Sequence, residues 1–408
     1  MSDTVSDTLT FADLPETAID HALDLIDLVF HDRPDEDARE RHRETLRGCR
    51  RIGAYDGTLL VGVLAAHAFS MAVPGGELDC AGVTFVCVAP THRRRGALTG
   101  MIGELYQGCL EAGRPLAALW TEEAAIYGRF GFGPATHGVN VEIDTEHPLE
   151  LRIEPDPRPL RLVPPAEAPA LLGPYFERTR AVRAGRVARS TDRWAEVWLA
   201  DDDEDDDELS PPRIVALGDP LAGYAIYRTK SGDDAGFARI DELEADTPAV
   251  AAALWRYLAS IDRVGRLRAW GRPLDDPILH FAADRDHVLT PSLFPALWVR
   301  LADVRAALLG RTWGADLDLV LDVRDPMVPG NAGRRRLTAT GGSCAYEPTA
   351  DAPDLTIDVA DLSACYLGDS QVRRMVRAGV AAEHTPGAAA ALDAALATAL
   401  LPHTTDEF

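Results

Sequence analysis

Residues 83–98 read Val83-Thr84-Phe85-Val86-Cys87-Val88-Ala89-Pro90-Thr91-His92-Arg93-Arg94-Arg95-Gly96-Ala97-Leu98. A Val- and Phe-rich extended run stops at Pro90, three consecutive arginines follow, and a glycine leads into a helical pattern. Leu98, Met101, Ile102, Leu105, Tyr106, Cys109 and Leu110 recur at the 3, 4 spacing of one buried helix face, and Gly113 and Pro115 supply the stop. A strand that turns directly into a helix commits this part of the chain to α/β packing. It also builds a place for a polyphosphate. The first turn of a helix offers unpaired backbone N–H groups and the positive end of its dipole, the arginines add charge, and Gly96 lets the backbone come close.

That basic turn stands out against an acidic background. The 408 residues carry 41 Lys and Arg against 65 Asp and Glu, a net charge of −24. Such a surface repels phosphate backbones and favours a cationic partner, so nucleic acid is not an expected ligand. The length exceeds what one hydrophobic core usually supports, and a hydrophobic content of 46% with 26% charged residues is that of a folded protein. The run 201–207 is a block of seven acidic residues, read as a solvated loop and not a metal site. Six scattered cysteines without ligand spacing read as buried free thiols, with no metal expected. No apolar stretch reaches 18 residues and the first residues are polar and acidic, so neither a membrane partner nor a secretory leader is expected; the expected place of work is the cytoplasm.

Along the chain, residues 18–30 and 36–46 pattern as helices. Residues 51–55 and 59–68 follow as a hairpin about Asp56-Gly57, and 78–88 as a longer strand after the turn Val73-Pro74-Gly75-Gly76. Residues 116–120 read as a short strand and 122–127 as a short helix. Five prolines in 151–165 mark a domain boundary. Beyond it, helices at 169–189 and 192–199 precede strands at 213–217, 221–228 and 237–243 and a helix at 248–261. This order echoes the first domain. In the echo Glu244-Ala245-Asp246-Thr247-Pro248 replaces the arginine turn, so the second copy is not expected to hold a polyphosphate. From about Leu297 the pattern becomes α+β, with alternating 316–323, strands at 334–340 and 354–359, and helices at 361–367, 370–378 and 386–400. The expected division is 1–150, 151–295 and 296–408.

The turn Arg93-Arg94-Arg95-Gly96-Ala97-Leu98 resembles motif A of the GNAT N-acetyltransferase superfamily, Arg/Gln-x-x-Gly-x-Gly/Ala. Leu98 departs from the small residue of the general motif. The whole phrase 83–96 is similar to one branch, the Eis (enhanced intracellular survival) acetyltransferases. The resemblance spans essentially the full length and implies an α/β fold: an N-terminal GNAT domain, a second degenerate GNAT-like domain, and a C-terminal α+β domain like sterol carrier proteins. It implies acetyl-CoA as co-substrate, held by the main chain of Val86, Cys87 and Val88, by the cradle Arg94, Arg95, Gly96, Ala97, Leu98 and Thr99, and by Glu122 and Glu123. It also implies a homohexamer.

Acetyl transfer from a thioester requires a group to take a proton from the amine and another to protonate the leaving thiolate. By resemblance Tyr127, in Ile126-Tyr127-Gly128-Arg129-Phe130-Gly131-Phe132, is the general acid. The α-carboxylate of Phe408, ionised at neutral pH, is the general base. Taken by themselves, a tyrosine beside two phenylalanines is an ordinary core residue and a chain end frays. Asp27 and Glu407 match positions near the acceptor, which the resemblance makes a cationic amine, an aminoglycoside acetylated at several sites or a lysine side chain. Asp27 reads equally well as a solvated helix carboxylate. A lipid-binding or scaffold protein with a vestigial acetyltransferase site is the alternative reading.

Overall fold

The computed structural model describes residues 9–200, 208–232 and 235–408; the acidic run 201–207 lies outside them. The chain forms two compact units. One gathers the described residues up to Ala135, Leu297–Thr398 and Asp406–Phe408, and the other Thr136–Ala296 with Ala399–Thr405.

The first unit holds a seven-stranded sheet in the order Thr10–Asp13, Arg50–Asp56, Leu59–Val73, Gly76–Val88, Leu116–Leu119, Trp298–Leu301, Gly133–Pro134. The Asp56-Gly57 hairpin and the Gly75 turn form as expected, each with its glycine at positive φ, but Leu59–Val73 runs five residues past its expected end. Strand alternation sends Leu64 and Ala66 to one face and Val63 and Ala65 to the other. The helix Ala97–Glu111 covers the first face through Met101, Ile102, Leu105 and Tyr106. The helix Ile19–Phe30 covers the second through Ile19, Ala22, Leu23 and Ile26, and Glu36–Gly48 adds Leu46.

The last central strand comes from far along the chain. Trp298–Leu301 pairs antiparallel with Leu116–Leu119, although the change of pattern at Leu297 had suggested the start of the third domain. Its Arg300 is fully buried, forms a 2.5 Å ion pair with the equally buried Asp325, and lies over the Tyr106 ring at 5.0 Å. The same unit carries a five-stranded sheet, ordered Ser343–Pro348, Gly333–Thr340, Leu317–Arg324, Leu355–Asp358, Ala382–Glu383, with the helices Val359–Cys365, Val372–Ala378 and Ala388–Leu396. The strand Ser343–Pro348 was not expected.

The second unit is an eight-stranded sheet. Its main path runs Val288–Leu289, His137–Asp144, Val264–Pro273, Gly236–Ala245, Gly223–Lys230, Arg213–Leu217, Leu160–Val163. Sequence places His137–Asp144 before the boundary at 151, but the strand pairs with Val264–Pro273 and buries Val139, Val141 and Ile143 in the second unit's core. The proline run leads into the edge strand Leu160–Val163, a place where missing N–H donors cost little. The helix expected over 169–189 ends at Arg180. The chain beyond is irregular because its arginines reach inward: Arg183 to Asp275 at 2.7 Å, Arg186 to Glu244 at 2.5 Å and Arg189 to Glu242 at 2.7 Å. Thr247 caps the helix Pro248–Leu258 by accepting from Val250 N, and the neighbouring carboxylates of Glu244 and Asp246 face Arg186 and Arg178. This turn presents carboxylates and a side-chain cap where the first unit presents arginines and an uncapped helix start.

All six cysteines are free, five of them buried. Among the described residues no group of side chains could hold a metal ion, and no helix is long and apolar enough to cross a membrane.

Candidate active site

Two strands part to make the site. Gly76–Val88 runs parallel to Leu116–Leu119 at Cys80↔Leu116, Ala81↔Ala117 and Gly82↔Ala118, and there the pairing ends. Gly76–Val88 continues, paired on its other side to Leu59–Val73 as far as Gly62↔Val88. A bulge sets Phe85 and Val86 opposite the single residue Leu64, with Phe85 at φ 49°. Beyond Gly82, therefore, one edge of the strand faces an open fork. The half-buried Val86 and Val88 and the buried Cys87 lie along it. Burial pushes the Cys87 thiol up to about 12, so at neutral pH this residue offers its main chain and no thiolate.

The arginine turn closes one end of the fork. After the short turn Pro90–His92, Arg94 adopts φ 62° and Gly96 φ 86°, and Ala97–Glu111 begins. Among the described residues no side chain caps this helix, and its first internal bond is Gly100 N to Gly96 O at 3.0 Å. The N–H groups of Ala97, Leu98 and Thr99 are left for another acceptor. A Cβ on Gly96 would meet nothing within 4 Å, so glycine stands there for its dihedral angle and not for want of room. Asp56, at the tip of the first hairpin, takes His92 Nε2 and Arg95 Nη2, each at 3.2 Å. Sequence reasoning had given Asp56 only a turn role. Arg93 and Arg94 remain as the exposed charges of the turn. This cradle and the open strand edge fit a ligand with a pyrophosphate and an extended amide arm.

Past the end of Leu116–Leu119, exposed Glu122 and Glu123 precede the helical turn Ala124–Tyr127, and Glu123 N is held by Thr121 Oγ1 at 2.9 Å. Tyr127 is half-buried with its ring edge-on to Phe132 at 6.0 Å. Burial, and then the nearby Glu123 charge, push its hydroxyl up to about 12. Below it, Tyr106 donates to Phe130 O at 2.7 Å. A Cβ on Gly131, at φ 87°, would overlap the Arg300 guanidinium.

The chain end lies in the same unit, at the point where the strands part. Trp120 Nε1 donates to Asp406 O at 2.8 Å. The Phe408 ring meets Phe69 edge-on at 5.0 Å and His67 at 6.3 Å, and a Cβ on Gly82 would come within 3.1 Å of it. Asp406 is buried and Glu407 exposed. This terminus is docked by a tryptophan, a His–Phe pair and a glycine that sequence reasoning missed, since none carries a local signal. Asp27 has another occupation: Arg39 of the next helix pairs with it and, at 2.6 Å, with Asp24.

A tandem fold with one open fork, an uncapped arginine-turn helix and a closed second copy defines a GNAT N-acetyltransferase, and acetyl-CoA is its co-substrate. Models of acetyltransferase (GNAT) domains match residues 10–135 and 185–305, and a sterol carrier protein domain matches 304–405. An uncharacterized N-acetyltransferase of Streptomyces avermitilis is 38% identical over 370 residues, 88% of this chain and 90% of that protein. The N-acetyltransferase Eis of Mycobacterium tuberculosis is 32% identical over 376 residues, 88% of each. Eis1 of Mycobacterium abscessus superposes with a TM-score of 0.86 at 30% identity, over 98% of this chain and 100% of that one. The chain belongs to the Eis family of GNAT acetyltransferases.

Proposed function

We propose that the protein acetylates amino groups of cationic acceptors, aminoglycosides at more than one position and lysine side chains, from acetyl-CoA in the cytoplasm. The observation that carries this reading is the docking of the chain end beside the fork, through Trp120 and the Phe408 ring. Val86, Cys87 and Val88 offer main chain to the extended arm. Arg94, Arg95, Gly96, Ala97, Leu98 and Thr99 receive the pyrophosphate, with Glu122 and Glu123 at the far lip. The Phe408 carboxylate takes the proton as the amine nitrogen bonds the acetyl carbon. Tyr127 gives its proton to the sulfur as the carbon–sulfur bond breaks. Because Arg39 screens Asp27, the acceptor's charge is met chiefly by Glu407 and the acidic surface. The six free thiols fit a reducing compartment. Self-association as a homohexamer belongs to the same proposal on the strength of the resemblance, and sedimentation velocity checks it.

The test is coenzyme A release across kanamycin-like aminoglycosides, polyamines and basic peptides, with Tyr127→Phe alongside. Expected are turnover with the aminoglycosides and a fall of about 10²–10⁴-fold in kcat for the variant at unchanged acetyl-CoA KM. The pH profile sharpens the assignment. An acid raised to about 12 is still protonated through pH 10.5, so kcat should not fall between pH 9 and 10.5. A tyrosine at its ordinary value of about 10 would already have lost about three quarters of its activity at that pH. A falling limb centred near 10, or a fully active Tyr127→Phe, removes Tyr127 from the role; silence across all acceptors removes the proposal.

A further inference from the structure

The second unit repeats the fork and then fills it. Gly236–Ala245 runs parallel to Val264–Pro273 from Gly236↔Val264 to Ile240↔Ala269, and the two then part, as their counterparts do beyond Gly82 in the first unit. Here Arg272 reaches across the gap, donating from Nη2 to Leu243 O at 3.1 Å while its Nε is held by Asp276 at 2.8 Å. Gly271, at φ 62°, gives its N–H to Asn140 Oδ1 and turns its carbonyl to His403, whose Nε2–H donates to it at 2.6 Å. Arg272 thus spans this fork, and the chain's own last stretch rests against the arm that carries Gly271.

That stretch is held as a ligand is held. Leu401 is bracketed by an ion pair: its N–H goes to Asp275 Oδ2 at 2.9 Å, its carbonyl takes Arg183 Nη1 at 2.7 Å, and Arg183 and Asp275 meet each other at 2.7 Å. His403 N donates to Ala184 O at 2.9 Å, where Gly185 at φ 99° keeps the backbone low beneath it. Pro402, His403 and Thr404 are buried. Burial, with Arg272, Arg183 and Arg186 nearby, holds the His403 imidazole neutral, so one nitrogen donates and the other needs no counter-charge.

We propose that the degenerate GNAT-like unit is a receptor for an extended peptide, the chain's own residues 401–404, with Arg183 and Asp275 as the jaws that limit the reach of the C-terminus. The five residues beyond His403 span at most about 18 Å, so a clamped His403 limits how far the Phe408 carboxylate can travel. Arg183 and Asp275 are positioning residues, acting through the tail. Their effect on turnover rests on the reading of Phe408 as the base; the clamp itself does not.

The test uses the full-length protein. Hydrogen exchange on the unaltered chain is expected to show the Leu401 and His403 amides protected, and their exchange at the rate of a free chain end overturns the clamp. In R183A/D275A, which removes both charges together, carboxypeptidase should release Phe408 and Glu407 at least about tenfold faster, and kcat should fall at unchanged acetyl-CoA KM, with Arg183→Lys recovering part of both. Unchanged release in a folded double variant also overturns the proposal. Faster release with undiminished kcat upholds the clamp and overturns the base assignment, so the two readings fail separately.

Discussion

Extending the chain by one glycine after Phe408 should lower kcat by about 10²–10⁴-fold while the fold and the acetyl-CoA KM stay as they were. One residue advances the terminus by about 3.3–3.6 Å, and proton transfer needs an approach of about 2.6–3.2 Å. On the proposed reading, the added residue moves the α-carboxylate out of reach and leaves an amide, which is no base at neutral pH, in its place. The cradle at Arg94–Thr99 and the edge at Val86–Val88 are untouched, so cofactor affinity has no reason to change. Deleting Phe408 should cost as much, since the new terminus at Glu407 also loses the ring seated against Phe69 and His67. Phe408→Ala separates anchor from base: it keeps the carboxylate and loses an aromatic contact worth about 0.5–1.5 kcal/mol beyond its buried area, so its kcat should fall less than that of the extended chain. Steady-state coenzyme A release, with acetyl-CoA titrated by thermal shift, distinguishes the three. Wild-type turnover in the glycine-extended chain sinks the assignment of the base.

Replacing Arg300 by methionine should destabilise the first unit by about 3–5 kcal/mol, the usual cost of leaving one member of a buried ion pair alone. Both side chains are shut off from water. Asp325 is also the acceptor for Met327 N and Val328 N at 3.0 Å and for Asn331 Nδ2 at 2.9 Å, and Asn331 in turn holds Val304 N and Ala302 O. Removing the guanidinium strands a carboxylate on which this connection depends, and it empties the space beneath Gly131 in the segment that carries Tyr127. Changing Asp325 to asparagine as well should recover part of the loss, because a neutral amide needs no counter-charge and its oxygen can still accept from Met327 N and Val328 N. Urea unfolding followed by tryptophan fluorescence reads the effect. A loss below about 1 kcal/mol in R300M would mean that the pair only balances its own desolvation.

The arginine turn, the helix behind it and the Asp56-Gly57 hairpin are readable from sequence because each is decided within a few residues, by charge, by positive φ and by apolar spacing. The echo of the first domain in the second is readable for the same reason. Segments 181–189 and Ser343–Pro348 are not. The first has a helical pattern, yet Arg183, Arg186 and Arg189 pair with Asp275, Glu244 and Glu242, partners distant in sequence that a local pattern does not state. The second is a short strand with two exposed ends, stabilised by its ladder to Gly333–Thr340 and not by its own composition.

The sequence by itself determined the two GNAT-like halves, the sterol-carrier-like end and the strand, arginine turn and helix proposed to receive the donor, since these are adjacent along the chain. Tertiary structure alone decided that His137–Asp144 belongs to the second sheet and Trp298–Leu301 to the first. An alternating strand states its period and not its partner. It also decided where the chain ends: Trp120 and Asp406 stand 286 residues apart and meet through one hydrogen bond. No local propensity encodes such a contact, because it forms only once the sheet strand that ends at Leu119 has brought Trp120 to the place where the chain returns.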